Sequence, residues 1–210
     1  MTAGPPRPRA FLLCCALACF APFEAPLRAT TVVPPDFDQL VNESDRVVRA
    51  VVESVHAEYR DGPQGRLIYT KVRFSLRDPV VGITGSTFEL EMLGGSIGDD
   101  SLIVTGAPVF HVGDEDFLFV RDNGRSITPL FAMMHGRYPV RRDAAGREFV
   151  ARSNDVPLQD VAEVALPMTT GGGAALQRRA VSTAAALTPV EFTAQIRATR
   201  RADYVRQKAR

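Results

Sequence analysis

Regular alternation of apolar and polar residues marks the middle of the chain as β-structure. Residues 68–77 alternate for ten positions, with Ile68, Val72 and Phe74 on the apolar side. Residues 88–92 repeat the pattern, with glutamates between Phe88, Leu90 and Met92. Because successive side chains of a strand point to opposite faces, each stretch predicts a strand with one buried and one solvated face.

Further short apolar runs predict a fold made mainly of antiparallel strands. The Val-rich run 47–55 alternates only loosely and predicts a strand with a bulge, followed by a hairpin loop over 60–66. Gly or Asp separates most of the remaining runs, which are 102–104, 108–112, 117–120, 126–130 and 138–140. Many short strands with tight connections predict a small antiparallel barrel or sandwich.

Two capping signals predict a helix at each end of this β region. Asp36 and Gln39 form a capping box before a short helix that buries Phe37, Leu40 and Val41. Thr188 and Glu191 form a second box, with Pro189 at the first helical position. We expect the second helix to pack on the strands through Phe192 and Ile196. Its basic tail leaves binding to an anionic surface as the alternative.

The N-terminal residues have the features of a signal peptide. Arg7 and Arg9 precede an apolar run over 10–21 that is too short to span a bilayer. We expect cleavage after Ala29, with cleavage after Ala21 as an alternative. The sequence Ala16–Cys19 also resembles a lipobox, so a lipoprotein anchored at Cys19 is a third interpretation. The chain is thus expected to be exported, to the periplasm or the extracellular space.

Cleavage after Ala29 changes both the chemistry and the charge of the chain. All three cysteines lie before that point, so the mature chain would have neither disulfides nor thiolate ligands. The net charge changes from +1 to −1, because three arginines and one glutamate are removed. We therefore expect no nucleic-acid partner, and no second apolar run is long enough to span a membrane. The predicted organisation is signal peptide 1–29, β domain 30–167, flexible linker 168–186 and basic helix 187–210.

The acidic stretch after His111 is a candidate metal site, but its pattern favours a turn. We expect Phe110 and Val112 on one strand, Phe117 and Phe119 on the next, and an exposed turn over 113–116. Calcium loops place oxygen ligands at alternate positions and add a later bidentate glutamate, and this pattern is missing. A divalent-cation site would need the carboxylates of two loops to converge, namely Asp99, Asp100, Asp114 and Glu115.

A second stretch, 94–98, matches the G-x-S-x-G pattern of serine hydrolases, with Ser96 as the nucleophile. His111 or His135 would be the base. The chemistry requires a strand, a sharp elbow and a helix, whereas the residues after Gly98 predict a turn and a strand. A glycine-rich bulge or loop is the favoured interpretation. Zinc held by His56, His111 and His135 would require three separate elements to meet.

Several of these motifs together resemble a group of exported bacterial proteins whose function is not established. The resemblance covers residues 36–140 and the closing helix. It rests on Gly94-Gly95 after an acidic strand, on Gly106-Ala-Pro-x-Phe110 with Gly113-Asp114, and on Gly136-Arg-Tyr138. The group is similar in layout to the OB-like barrel of netrin and metalloproteinase-inhibitor modules. The resemblance implies an OB-like barrel and no particular chemistry, and the inhibitors' disulfide cysteines are missing here.

The sequence therefore predicts an exported, non-catalytic binding or structural module. Its partner would lie in the cell envelope or outside the cell, and no motif implies a cofactor. A secreted serine hydrolase that uses Ser96 is the alternative function.

Overall fold

A six-stranded antiparallel sheet forms the centre of the described chain, in the order β3-β2-β1-β6-β7-β8. The computed structural model describes Thr2 and residues 32–63, 65–82, 85–169 and 171–209. The predicted signal peptide lies outside the described residues, apart from Thr2. Strands β4 and β5 form a separate hairpin. The elements are α1 (Phe37–Asn42), β1 (Arg46–Gly62), β2 (Gly65–Val81), β3 (Thr87–Leu93), β4 (Gly95–Ile97), β5 (Asp100–Leu102), β6 (Glu115–Val120), β7 (Arg137–Arg142), β8 (Glu148–Val150), α2 (Gly171–Ala180) and α3 (Pro189–Lys208).

The predicted fold class is confirmed, although the sheet does not close. It is mainly β and antiparallel, with a short helix before the strands and a longer helix after them. Among the described residues no pairing joins β3 to β8, so the architecture is an open sheet rather than a barrel. A loop covers the β3 edge, where the Leu93 N–H donates to the Ile127 carbonyl at 2.8 Å. The Val150 N–H of β8 donates in the same way to Leu187. Covered edges protect an open sheet against pairing with other chains.

Apolar side chains are buried on both faces of this sheet. On one face, α1 and α3 cover a core that includes Val47 of β1 and Phe117 of β6. On the other face, the neighbouring residues Val48 and Leu118 belong to a second core with β2 and β3. Residues 47–52 of β1 and 117–120 of β6 are therefore largely buried on both sides, which explains why these stretches are nearly continuous apolar runs.

Both predicted capping boxes are present, and they place the two helices on the sheet. The Asp36 side chain accepts from the Gln39 N–H at 2.7 Å, and the Asp36 N–H donates to Gln39 Oε1 at 3.2 Å. Thr188 and Glu191 are paired in the same way at the start of α3. Because these bonds satisfy N–H groups that a helix leaves unpaired, they fix where each helix begins.

A bulge at Glu53 changes which face of the sheet the residues of β1 occupy. Val52 pairs with Phe74, whereas Ser54 pairs with Arg73, so one residue of β1 is extra. Before the bulge the even-numbered Val48, Ala50 and Val52 face the second core. Beyond it the odd-numbered residues 55 and 57 take that side, opposite Val72 and Thr70. Without the extra residue they would face the charged side of the sheet.

The segment predicted as a linker contains regular structure. Helix α2 spans Gly171–Ala180, and a 3₁₀ turn follows at Thr183–Ala185. Helix α3 shares the core of the strands through Phe192 and Ile196, as expected. The flexibility and the domain boundaries proposed for 168–210 stay predictions. No helix among the described residues is long and apolar enough to cross a membrane.

Candidate functional site

An apolar cavity of about 390 Å³ lies on the second face of the sheet. Its floor is formed by side chains of β1, β2 and β3, namely Val55, Ala57, Thr70, Val72 and Met92. The β4–β5 hairpin forms one wall, and residues 103–110 form the other. Among the described residues that line it, none carries a charge. This combination of concavity and apolar lining is typical of small-molecule sites.

The Gly94-Gly95 step turns the chain so that β4 folds back over β1 and β2. Gly94 donates its N–H to the Ile68 carbonyl and accepts from the Thr70 hydroxyl at 2.6 Å. Both glycines have positive φ, at 105° for Gly94 and 132° for Gly95. A Cβ on Gly95 would lie 2.3 Å from the Thr70 Oγ1. Glycine is therefore required here by conformation and by space.

The opposite wall exposes apolar side chains at the mouth of the cavity. Ile103 is 85% exposed and Val109 68% exposed, and both line the cavity. Val55 on the floor is also partly open to solvent. Exposed apolar residues are unremarkable when scattered, but these three surround one concave site. The mouth is thus suited to contact with an apolar ligand.

Arg137 anchors this wall to the sheet. From β7 its Nη1 donates to the Val109 carbonyl at 2.6 Å. Its guanidinium carbon lies 4.6 Å from the centre of the Phe110 ring, a cation–π arrangement. Since Phe110 lines the cavity, Arg137 fixes both a backbone and a side-chain position of the wall.

The same guanidinium pairs with two carboxylates, and this overturns the prediction of an exposed acidic turn. Arg137 donates from Nε to Asp116 and from Nη2 to Asp114, each at 2.9 Å. Asp116 is 0% exposed and lies on β6, opposite Pro139. Phe110 and Val112 lie outside any strand, and Val112 is exposed. A turn is present at residues 112–113, but the predicted extent of the turn and the exposure of its acidic side chains were wrong. The reason is that Arg137, twenty-one residues beyond Asp116, supplies a buried positive charge that local patterns do not reveal.

The two carboxylates of this cluster differ in their pKa. Burial raises the pKa of Asp116, and this effect exceeds the opposing charge of Arg137. Burial also acts against ionisation of Asp114. There, however, the His111 backbone N–H and Arg137 outweigh it and lower the pKa. Within the described residues no group bonds to the Asp116 Oδ2. The cluster is thus an ion pair that holds the cavity wall in place.

Glu115, predicted in the exposed turn, is the first residue of β6 and is also paired. Its carboxylate accepts from Arg49 Nε at 2.6 Å, and the same arginine reaches Glu148 of β8 at 2.9 Å. These three residues form a partly buried network that crosses β1, β6 and β8. The charges of the acidic stretch therefore connect strands.

The residues of the hydrolase hypothesis lie on separate elements. Ser96 is exposed in β4, opposite Ser101 of β5, and a hairpin rather than a helix follows the glycine turn. His111 is exposed and lies 3.5 Å from Asp114. His135 is buried in a 3₁₀ turn after the 121–130 loop. Among the described residues no hydrogen bond joins Ser96 to either histidine, and the strand–elbow–helix geometry is not formed.

The acidic residues of the metal hypothesis also fall into two separate places. Asp100 accepts from the Tyr59 hydroxyl at 2.5 Å, and Asp99 lies in the β4–β5 turn. Asp114 and Glu115 are paired with the arginines described above. In the described part of the chain, no group of three or more His, Cys, Asp or Glu side chains could hold a metal ion.

A second group of buried polar side chains includes one residue of β7 and lies outside the cavity lining. His135, Tyr138 and Arg152 are all buried. Burial and the charge of Arg152 lower the pKa of His135 to about 4. Burial raises the pKa of Tyr138, because it disfavours the charged form there as well. His135 is therefore neutral at pH 7, and its buried Nδ1 has no hydrogen-bond partner among the described residues, which costs stability.

Neither the role of Arg137 nor the cavity that it supports was predicted from the sequence. The available signal was the arginine inside Gly136-Arg-Tyr138. A Cβ on Gly136 would lie 2.7 Å from the Phe131 carbonyl, so the turn into β7 also needs glycine. Gly94-Gly95 and Ala107-Pro-x-Phe110, two of the motifs behind the family resemblance, line the cavity itself. The motifs thus converge on one site in three dimensions.

No family model matches the chain, and searches of curated proteins and of solved structures also gave no match. The resemblance to the exported bacterial group therefore stays a prediction. Function has to be argued from the geometry of the cavity.

Proposed function

We propose that this chain is an exported, non-catalytic binding module of the cell envelope or extracellular space, and that the apolar cavity is its binding site. The observation that carries the proposal is the cavity between the β1–β3 face, the β4–β5 hairpin and residues 103–110. Its wall is fixed by the buried Arg137, so the site is largely formed before a ligand binds. A preformed site loses less conformational entropy on binding.

The cavity fits a small apolar molecule or the alkyl part of a larger one. Its volume of about 390 Å³ falls within the range of ligand pockets, roughly 300–1,000 Å³. The Thr70 hydroxyl is engaged by the Gly94 carbonyl, so little hydrogen-bonding capacity is left on the floor. Affinity would then come from apolar area removed from water at the floor and at the exposed Ile103 and Val109.

Binding can be tested with N-phenyl-1-naphthylamine, a fluorescent apolar probe. Titration of the mature chain should enhance its emission with a saturable isotherm. Ala107→Phe places a ring in the cavity and should weaken probe binding about tenfold or more, since the lost contact is worth at least ~1.4 kcal/mol. Ala144→Phe makes the same change in the exposed β7–β8 turn and should leave binding unchanged.

Two outcomes would overturn the proposal. If Ala107→Phe and Ala144→Phe bind the probe equally well, the probe does not bind in the cavity. Hydrolysis of p-nitrophenyl esters that is lost in Ser96→Ala would replace the binding module by the hydrolase.

Export is tested separately by the mature N-terminus. Mass spectrometry of protein recovered from the producing cells should find a chain that begins at or near Thr30. An acylated Cys19 would identify a lipoprotein instead, and an intact Met1 on cytosolic protein would refute export.

A further inference from the structure

Helix α3 has an outer face that points away from the core. Phe192 and Ile196 are buried against the sheet. Since successive helical residues are about 100° apart, the opposite face holds residues at spacings of three and four. This outer face consists of Val190, Ala194, Arg197, Ala198, Arg201, Tyr204, Val205 and Lys208.

The apolar members of the outer face are unusually exposed. Val190 is 76%, Tyr204 65% and Val205 60% exposed. They account for three large hydrophobic side chains on one surface of one helix. A solvated helix normally places polar residues at such positions. The pattern therefore indicates a surface with a partner.

All charges on the outer face are positive. Arg197, Arg201 and Lys208 contribute three cations, while the exposed Glu191 lies at the edge of this face and its carboxylate accepts hydrogen bonds from Thr188 in the capping box. Asp203 lies nearer the core side and bonds to Gln207 at 2.7 Å. Asp78 of β2 pairs with Arg197 at 2.7 Å. Arg201 and Lys208 have no carboxylate partner among the described residues.

We propose that the outer face of α3 binds the surface of an anionic lipid bilayer. The cations would contact lipid phosphates. Tyr204 and Val205 would enter the headgroup region, where a tyrosine ring has both apolar and polar neighbours. Charge complementarity selects this occupant, because one stripe combines apolar residues with cations, and the two acidic residues of α3, Glu191 and Asp203, are bonded to neighbouring side chains. The helix lies on the membrane and does not cross it.

Two other partner classes fit the same face less well. Nucleic-acid binding would use the cations but leave Val190, Tyr204 and Val205 exposed to water. An acidic protein segment could enter the groove of about 610 Å³ that this face forms with β2, but Val190, Val205 and Lys208 lie outside the lining of that groove. Both are distinguishable outcomes of the test below.

Vesicle co-sedimentation of the mature chain tests the proposal. Vesicles with 30% phosphatidylglycerol in phosphatidylcholine should bind the protein, and pure phosphatidylcholine should bind it much more weakly. Each surface cation contributes about fivefold in affinity, so Arg201→Gln with Lys208→Gln should weaken binding about 25-fold. Tyr204→Ser with Val205→Ser should also weaken it. All four positions are exposed, so the thermal melt should not change.

The matched control removes the same charge elsewhere. Arg125→Gln with Arg179→Gln changes two exposed arginines outside α3 and should alter binding less than about twofold. Equal loss in the control, equal binding to neutral vesicles, or no binding to anionic vesicles would overturn the proposal. Binding to DNA or to a protein partner would also overturn it, if two conditions hold. The Arg201/Lys208 variant must lose that binding, and vesicles must bind neither the parent chain nor the variant.

Discussion

The guanidinium carbon of Arg137 lies 4.6 Å from the ring centre of Phe110. One side chain thereby joins two carboxylates, one on β6 and one just before it, to the wall of the apolar cavity. Asp114 and Asp116 hold the guanidinium from one side, and the Val109 carbonyl and the Phe110 ring contact it from the other. Stability of the fold and shape of the candidate site therefore depend on the same residue.

Arg137→Met should destabilise the fold by about 3–5 kcal/mol. The variant keeps an apolar stem but leaves Asp116 buried without its counter-charge, which is the costly way to break a buried ion pair. It should also weaken probe binding, because the wall loses its anchor. Chemical denaturation measures the first effect and probe titration the second.

A second variant, Asp116→Leu, separates two contributions to the lost stability, namely the unpaired buried charge and the lost packing. Combined with Arg137→Met it should recover part of the lost stability, because no charge is then left unpaired in the core. Strictly additive losses in the double variant would contradict this account of the cluster.

Gly95→Ala should destabilise the chain by about 1–3 kcal/mol from backbone strain alone. The close approach of the new Cβ to Thr70 adds to this cost. Gly98→Ala is the matched control, because Gly98 also has positive φ but open space around it. Thermal melts should rank Gly95→Ala as the more damaging change, and only that variant should impair probe binding. The reverse order would show that the turn does not need a close backbone approach.

Phe192→Ala should cost about 3–5 kcal/mol, the usual range for truncating a buried aromatic side chain. The Phe192 ring contacts four aromatic rings, with centroid distances from 5.1 to 6.1 Å, those of Phe37, Phe117, Phe119 and Tyr138. Tyr204→Ala lies on the outer face of the same helix and should change stability by less than about 0.5 kcal/mol. Urea unfolding of the two variants gives the comparison. Similar losses would mean that α3 is not held through Phe192.

Acidification should destabilise the fold through His135. Its pKa is about 4 in the folded chain, whereas an unperturbed histidine has a pKa of about 6.5, so below pH 6.5 the unfolded chain binds a proton that the folded chain does not. The free energy of unfolding should fall by about 3 kcal/mol between pH 6.5 and 4 from this residue. The raised pKa of Asp116 acts in the opposite direction.

His135→Gln removes only the histidine contribution. The difference in unfolding free energy between the variant and the parent chain should therefore change by about 3 kcal/mol over that interval. A difference that is constant from pH 6.5 to 4 would show that His135 gains its proton equally in both states.

Local patterns predict those parts of the fold that local interactions decide. The alternation over 68–77 correctly predicts which side of β2 is buried, because Ile68, Val72 and Phe74 belong to the core. The capping residues of α1 and α3 act over three positions, and both boxes are found as predicted. The bulge in the Val-rich strand is also confirmed.

Long-range interactions explain what the patterns do not predict. The runs 108–112 and 126–130 have the pattern of strands, but neither forms one. In the first run Arg137 donates a hydrogen bond to the Val109 carbonyl. In the second run only a single bridge is formed, between Leu130 and Val120. The sequence around Asp116 predicts a solvent-exposed side chain, because nothing nearby in the sequence indicates that Arg137 pairs with it. The cavity depends on four separate stretches of chain, so no single motif predicts it.

The bulge in β1 requires an extra residue at position 53, but it does not require a particular side chain there. Glu53 is exposed, and its contact with Arg73 is a surface ion pair of 3.2 Å, so many side chains could occupy the position at little cost. Its removal would instead rotate every residue from Ser54 to the hairpin tip onto the opposite face. At this site natural selection would therefore act on the number of residues rather than on their identity, and a substitution and a deletion would have unrelated consequences.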